Sequence, residues 1–165
     1  MQHTPSPTGP RPGSGGRDWR GQPRGGYVAP SGALSSGAYL KSAYLDDRGW
    51  PRPDLLTVEA KQVAEELAYA NPPLAYGQMR RFFGIVRFIE SRLAANEAFQ
   101  DLRWRLAGLR PLAADAVKRK VAPPIFQAFI DRNVELSLGD ERSFKLGFVQ
   151  HFQSVVCYFP RKSGG

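Results

Sequence analysis

From Thr57 onward, apolar side chains recur three and four positions apart, the spacing that gathers them on one side of an α-helix. Ala60, Val63, Ala64 and Leu67 form the first such stripe. Thr57 stands where an N-cap is wanted, Glu59 suits the positive end of the helix dipole, and Pro72 and Pro73 stop the run. Over about residues 76 to 95, Met79, Phe82, Phe83, Ile85, Val86, Ile89 and Leu93 fall within an arc of roughly 160° when each residue turns by about 100°. A third stretch, about 97 to 109, aligns Phe99, Leu102, Leu106 and Leu109, with Glu97 and Asp101 near its start. Pro111 breaks or restarts that pattern, and a short helix from Leu112 ends in Lys118, Arg119 and Lys120, which suit the negative end of the dipole. Past Pro123 and Pro124, Ile125, Phe126, Phe129 and Ile130 predict a helix to about Ser137. Gly139 closes it, and Asp140 can cap a last helix, about 141 to 159, striped by Phe144, Phe148, Phe152, Val155 and Phe159 and ended by Pro160. Sustained apolar/polar alternation is absent, as are Asn-Gly and Asp-Gly hairpin dipeptides. The pattern predicts an all-α bundle of five or six helices.

Composition changes the picture only at the ends. Residues 1 to 37 hold 9 of the 17 glycines and 6 of the 14 prolines, so they read as a disordered arm carrying Arg11, Arg17, Arg20 and Arg24. Its Arg24-Gly25-Gly26-Tyr27 resembles an RGG-type element. Residues 38 to 56 regain aromatics but are interrupted by Pro51 and Pro53, the mark of a lead-in segment. The helical bundle is expected over 57 to 160, with a flexible tail over 161 to 165. The lone Cys157 excludes an internal disulfide framework and a CxxC zinc site. No run approaches the 18 or so apolar residues of a membrane span, and the first residues lack a signal peptide's apolar core, so a cytoplasmic chain without membrane contact is expected.

Catalytic constellations are missing. No GxxxxGK[ST], GxGxxG after a strand, HExxH or GxSxG is present. Of the two histidines, His3 falls in the arm and His151 at the edge of the last apolar stripe, where a core-edge role fits better than a catalytic or RNA-contacting one. Asp46-Asp47, Glu65-Glu66 and Asp140-Glu141 are sequence neighbours, which do not share a helical face, so no paired-carboxylate or metal site follows. No cofactor is implied and no catalytic residue is assigned.

Charge is the stronger lead. The chain is formally +8, and residues 80 to 120 carry ten basic against four acidic side chains, whereas residues 49 to 79 carry two against four. On the second helix, Arg80 and Arg87 stand beside Gly84 and Ser91, flanked by Arg81, Arg92 and a surplus Phe88, opposite the apolar arc. Arginine suits phosphate because its planar fork donates two hydrogen bonds and never becomes neutral. A solvated face, or arginines paired with acids of neighbouring helices, is the competing reading.

Three segments then carry a family resemblance. Leu74 to Phe83, LAYGQMRRFF, is similar to a "TTSQIRKFF" helix start; Leu109 to Lys120, LRPLAADAVKRK, to an "LKPKLAYAAGR" block; and FVQHFQSVVCYFPR to an "F..FMEAIVAYF" terminal helix. In order and spacing, from about residue 57 to 159, they resemble the helical small subunit of type III-A CRISPR effector complexes. Ala75 and Tyr76 replace that family's two threonines, and Gln153 its terminal glutamate. The resemblance implies a non-catalytic subunit in antiviral defence that stacks head to tail with its own copies beside the guide RNA, meets other subunits and contacts target RNA. Arg80, Arg81, Lys118 and Arg119 are the foremost expected RNA contacts, with Arg87, Arg110 and Lys120 beside them. A free-standing helical nucleic-acid-binding regulator is the alternative, and a small nuclease using His151 or Lys118 a remote third.

Overall fold

The computed structural model describes residue 32 and residues 34–161, and every regular element among them is helical. The elements are α1 (Pro53–Leu56), α2 (Val58–Tyr69), α3 (Tyr76–Ala94), α4 (Phe99–Ala107), α5 (Leu109–Lys118), α6 (Pro124–Ser137), and a π-helical segment (Ser143–Val149) that runs directly into α7 (Gln150–Tyr158). The all-α expectation holds, with six long helical runs and one four-residue turn. The expected arm lies outside the described residues except for residue 32 and residues 34–37, and so does the expected tail beyond Arg161.

Boundaries differ from the periodicity for identifiable reasons. Thr57 does not cap α2: its hydroxyl donates back to the Pro53 carbonyl at 2.9 Å. The helix expected from residue 97 begins at Phe99, because Asn96 and Glu97 complete the end of α3. Asn96 is left-handed (φ 65°) and donates to the Leu93 carbonyl at 3.0 Å, while Glu97 donates to that of Arg92 at 3.1 Å, a Schellman closure. The break before α5 falls at Gly108, not Pro111, since Pro111 sits in the first turn of α5, where a backbone N–H has no intrahelical acceptor. Asp140 does cap the last helical run, accepting from the Ser143 N–H at 2.9 Å and its hydroxyl at 2.8 Å. That hydroxyl above all holds the Asp140 carboxyl below its ordinary value.

α7 packs against α1, α2 and α3, while α6 lies along α5 and the π-helical segment. Rings fill the space between them. Phe82 meets Phe126 edge-on at 4.9 Å, Phe129 meets Phe152 at 5.0 Å, and Phe148 stacks on Phe152 at 5.7 Å. Each fully buried phenylalanine contributes about 1.5–3 kcal/mol, and each ring pair about 0.5–1.5 kcal/mol more.

Residues 34–56, ahead of the expected bundle, supply Leu34, Tyr39, Leu40, Tyr44 and Leu55 to the same core. They are held there by a buried polar chain. The Tyr44 hydroxyl donates to Asn133 Oδ1 at 2.7 Å, and Asn133 Nδ2 donates to the Tyr39 hydroxyl at 2.9 Å and to the Phe129 carbonyl at 2.8 Å. Every member that leaves water therefore finds a partner, the condition under which a polar core network is tolerated. Gly147, in the π-helical segment, makes room for Tyr44: a Cβ there would meet the ring at 2.3 Å.

Candidate nucleic-acid interface

α3 turns its apolar arc inward (Met79, Phe82, Val86, Ile89 and Leu93 are buried) and leaves the opposite side to solvent. Arg80, Arg81 and Arg87 are exposed on that side, and Gly84 between them is open, a Cβ there meeting nothing within 4 Å. α5 lies beside the first half of α3. Between the two helices is a narrow cleft of about 30 Å³ lined by Gln78, Arg81, Phe82, Ile85, Leu112, Asp115, Ala116 and Arg119. The structure thus brings Arg81 and Arg119, 38 residues apart in sequence, to one site. Gln78 Oε1 is buried without a hydrogen-bond partner among the described residues.

The seven expected contacts divide by their ion pairs. Arg87 is paired with Glu90, Arg110 with Asp131 of α6 at 3.1 Å, and Arg119 with Asp115 at 2.7 Å. Arg110 therefore joins α5 to α6, away from the cleft. Arg80, Arg81, Lys118 and Lys120 make no ion pair among the described residues, and Arg80 instead lies 6.0 Å from the Tyr76 ring. Their charge is uncompensated. Lys120 is held in the left-handed region (φ 59°) by a second Schellman closure, its own N–H donating to Val117 at 2.9 Å and that of Val121 to Ala116 at 3.0 Å.

The other side chains weighed for chemistry are structural. His151 is fully buried rather than at the core edge. Its Nδ1 is 2.8 Å from the Leu55 carbonyl, an acceptor only, so Nδ1 carries the proton and Nε2 accepts from the Tyr39 hydroxyl at 2.7 Å. Burial, above all, lowers its pKa to about 4. Glu66 is also buried, accepting at one oxygen from the Ser35 N–H and hydroxyl, both at 3.2 Å; three residues after Val63, it lies nearer the buried stripe of α2 than Glu65. No group of three or more His, Cys, Asp or Glu among the described residues is placed to hold a metal ion, and no helix among them is long and apolar enough to cross a membrane.

A second feature adjoins the cleft. Phe88 of α3 and Trp104 of α4 are 46% and 65% exposed, and the Arg105 guanidinium lies against both. Trp104 was legible in the sequence: it falls about 160° away from Leu102 and Leu106 on the helix, opposite the buried stripe.

Helical throughout, packed on phenylalanine and rimmed with unpaired basic side chains, this is a small all-α bundle with charge on its outside and no metal cluster in the described residues. The family model described as Csm2 Type III-A matches residues 51–164, more than half of the chain, and the chain belongs to that family, a small subunit of the type III-A CRISPR effector complex. No curated protein and no solved structure matches it.

Proposed function

We propose that this subunit is non-catalytic and binds the backbone of target RNA along the α3–α5 face, stacking with copies of itself beside the guide RNA in the cytoplasm. The observation that carries the reading is the convergence of Arg81 and Arg119 on one cleft, with Arg80, Lys118 and Lys120 making no ion pair among the described residues. The Arg81 guanidinium, which makes no ion pair among the described residues, can give a phosphate two parallel hydrogen bonds, and Arg119, held at Nε by Asp115, keeps its two terminal nitrogens for the same ligand. Contacts to phosphate position a strand without reading its bases, as a subunit that must accept any target requires.

The test is a titration of the full chain with single-stranded RNAs of unrelated sequence at several salt concentrations. Affinity should be nearly independent of sequence and fall by roughly 0.7 decade per decade of salt for each phosphate neutralised. Strong preference for one sequence, or indifference to salt, overturns the reading.

A further inference from the structure

Phe88, Trp104 and Arg105 lie where α3 meets α4, and none of them is used by a phosphate-binding cleft. Arg105 sits with its guanidinium carbon 4.3 Å from the Trp104 ring centre and 5.4 Å from that of Phe88, and it makes no ion pair among the described residues. One cation thus rests against two rings that both remain partly open to solvent. Leaving a tryptophan 65% exposed on a helix gives up apolar burial, and the positions one turn away on its face do not extend it into an apolar patch: Gln100 and Asp101 are polar, Ala107 and Gly108 small. A protein partner's apolar core would find two isolated rings in a charged setting.

We infer that Phe88, Trp104 and Arg105 form a stacking platform for an unpaired base of single-stranded RNA. The inference rests on the phosphate-binding reading, since the same strand must reach both features. They share one side of α3: Arg81 precedes Phe88 by seven residues, two helical turns and about 10.5 Å along the axis. A base lies flat on the part of Trp104 that Arg105 leaves open, while Arg105, resting against both rings, supplies positive charge to the adjoining phosphate. Base–aromatic stacking tolerates any sequence, because every base has a π-face, so the platform adds affinity without adding base preference. Bases within a duplex are occupied by their own neighbours and do not reach it.

The experiment compares the full wild-type chain with Trp104→Ala, Trp104→Phe and the double variant Arg81→Ala/Arg119→Ala. Each is titrated at low salt with a single-stranded RNA, an abasic ribose-phosphate oligomer of equal length, and an RNA duplex. Helicity and melting are measured alongside. Trp104→Ala should weaken RNA binding roughly five- to a hundredfold, the range of one stacked base, leave the abasic oligomer and duplex unaffected, and be largely rescued in Trp104→Phe. The arginine variant should weaken all three probes alike. If Trp104→Ala binds RNA as the wild type does, or loses RNA and the abasic oligomer equally, the platform is overturned while the phosphate reading stands. If only the arginine variant is silent, the phosphate reading fails and the platform stands. Loss of Trp104→Ala from the assembled complex with RNA binding intact overturns the platform in favour of a protein contact. A wild-type chain that binds none of the probes overturns both.

Discussion

His151 Nε2 accepts a hydrogen bond from the Tyr39 hydroxyl at 2.7 Å, across 112 residues of sequence. The pair joins α7 to a segment that periodicity placed outside the bundle. It also ties the fold to pH. Because burial lowers the folded-state pKa to about 4 from the ordinary 6.5, the unfolded chain binds the extra proton first as pH falls. Stability from this group is complete above about pH 6.5 and is lost progressively down to about pH 4, by about 3 kcal/mol in all. Urea unfolding at pH 7, 6, 5 and 4 checks the slope, which should be flatter in His151→Ala.

Surface and core substitutions should separate. Alanine at Arg80, Arg81, Lys118 and Arg119 should reduce RNA retention by the assembled complex at a cost within about 0.5 kcal/mol of stability each. Phe82→Ala should leave the charged surface intact but cost about 3–5 kcal/mol, because its ring fills the space against Phe126. Melting curves and RNA retention measured on both sets decide the matter: charge variants that unfold would make those residues structural.

Lys120 offers a cleaner substitution. Its left-handed backbone favours glycine, so Lys120→Gly should leave stability unchanged or raise it by up to about 1 kcal/mol, although a charge is lost. Lys120→Val should lower it. If Lys120 also neutralises a phosphate, the glycine variant shows a shallower salt dependence of RNA binding at undiminished melting temperature.

The isolated subunit should not cleave RNA in magnesium, manganese or chelator. General acid–base cleavage needs a titratable group within reach of the reacting proton, most often a histidine, and both ring nitrogens of His151 are engaged inside the core. Radiolabelled single-stranded RNA incubated with wild type and His151→Ala tests this; cleavage by the wild type alone would restore the nuclease alternative.

Legibility in the sequence followed the range of the interactions. The stripes of α3, α6 and α7 are set by contacts three and four residues apart, and they stand where the periodicity put them. Tyr39, Tyr44, Asn133 and His151 are buried by bonds spanning 89 to 112 residues, which no local window contains. Glu66, closer than Glu65 to the buried stripe of α2, gains its hydrogen bonds from Ser35, a contact 31 residues away. At the candidate site, the arginines of α3 were visible from residue type and face, and the pairing of Arg87 with Glu90 from their spacing of three. Arg87–Glu90 and Arg119–Asp115 are three and four residues apart, whereas Arg110–Asp131 depends on how α5 lies against α6. The Arg105 contact with Phe88 depends in the same way on the placement of α4.

The buried chain from Tyr44 through Asn133 and Tyr39 to His151 also separates two kinds of boundary. The family pattern begins at residue 51, yet two of the four side chains in that chain lie before it. A polypeptide started at Pro51 would keep every recognisable family residue and still leave Nε2 of His151 and the amide of Asn133 without their tyrosine partners inside an apolar interior. The stretch that carries the family match is thus shorter than what the molecule needs in order to close, for the core already takes in Tyr39 and Tyr44.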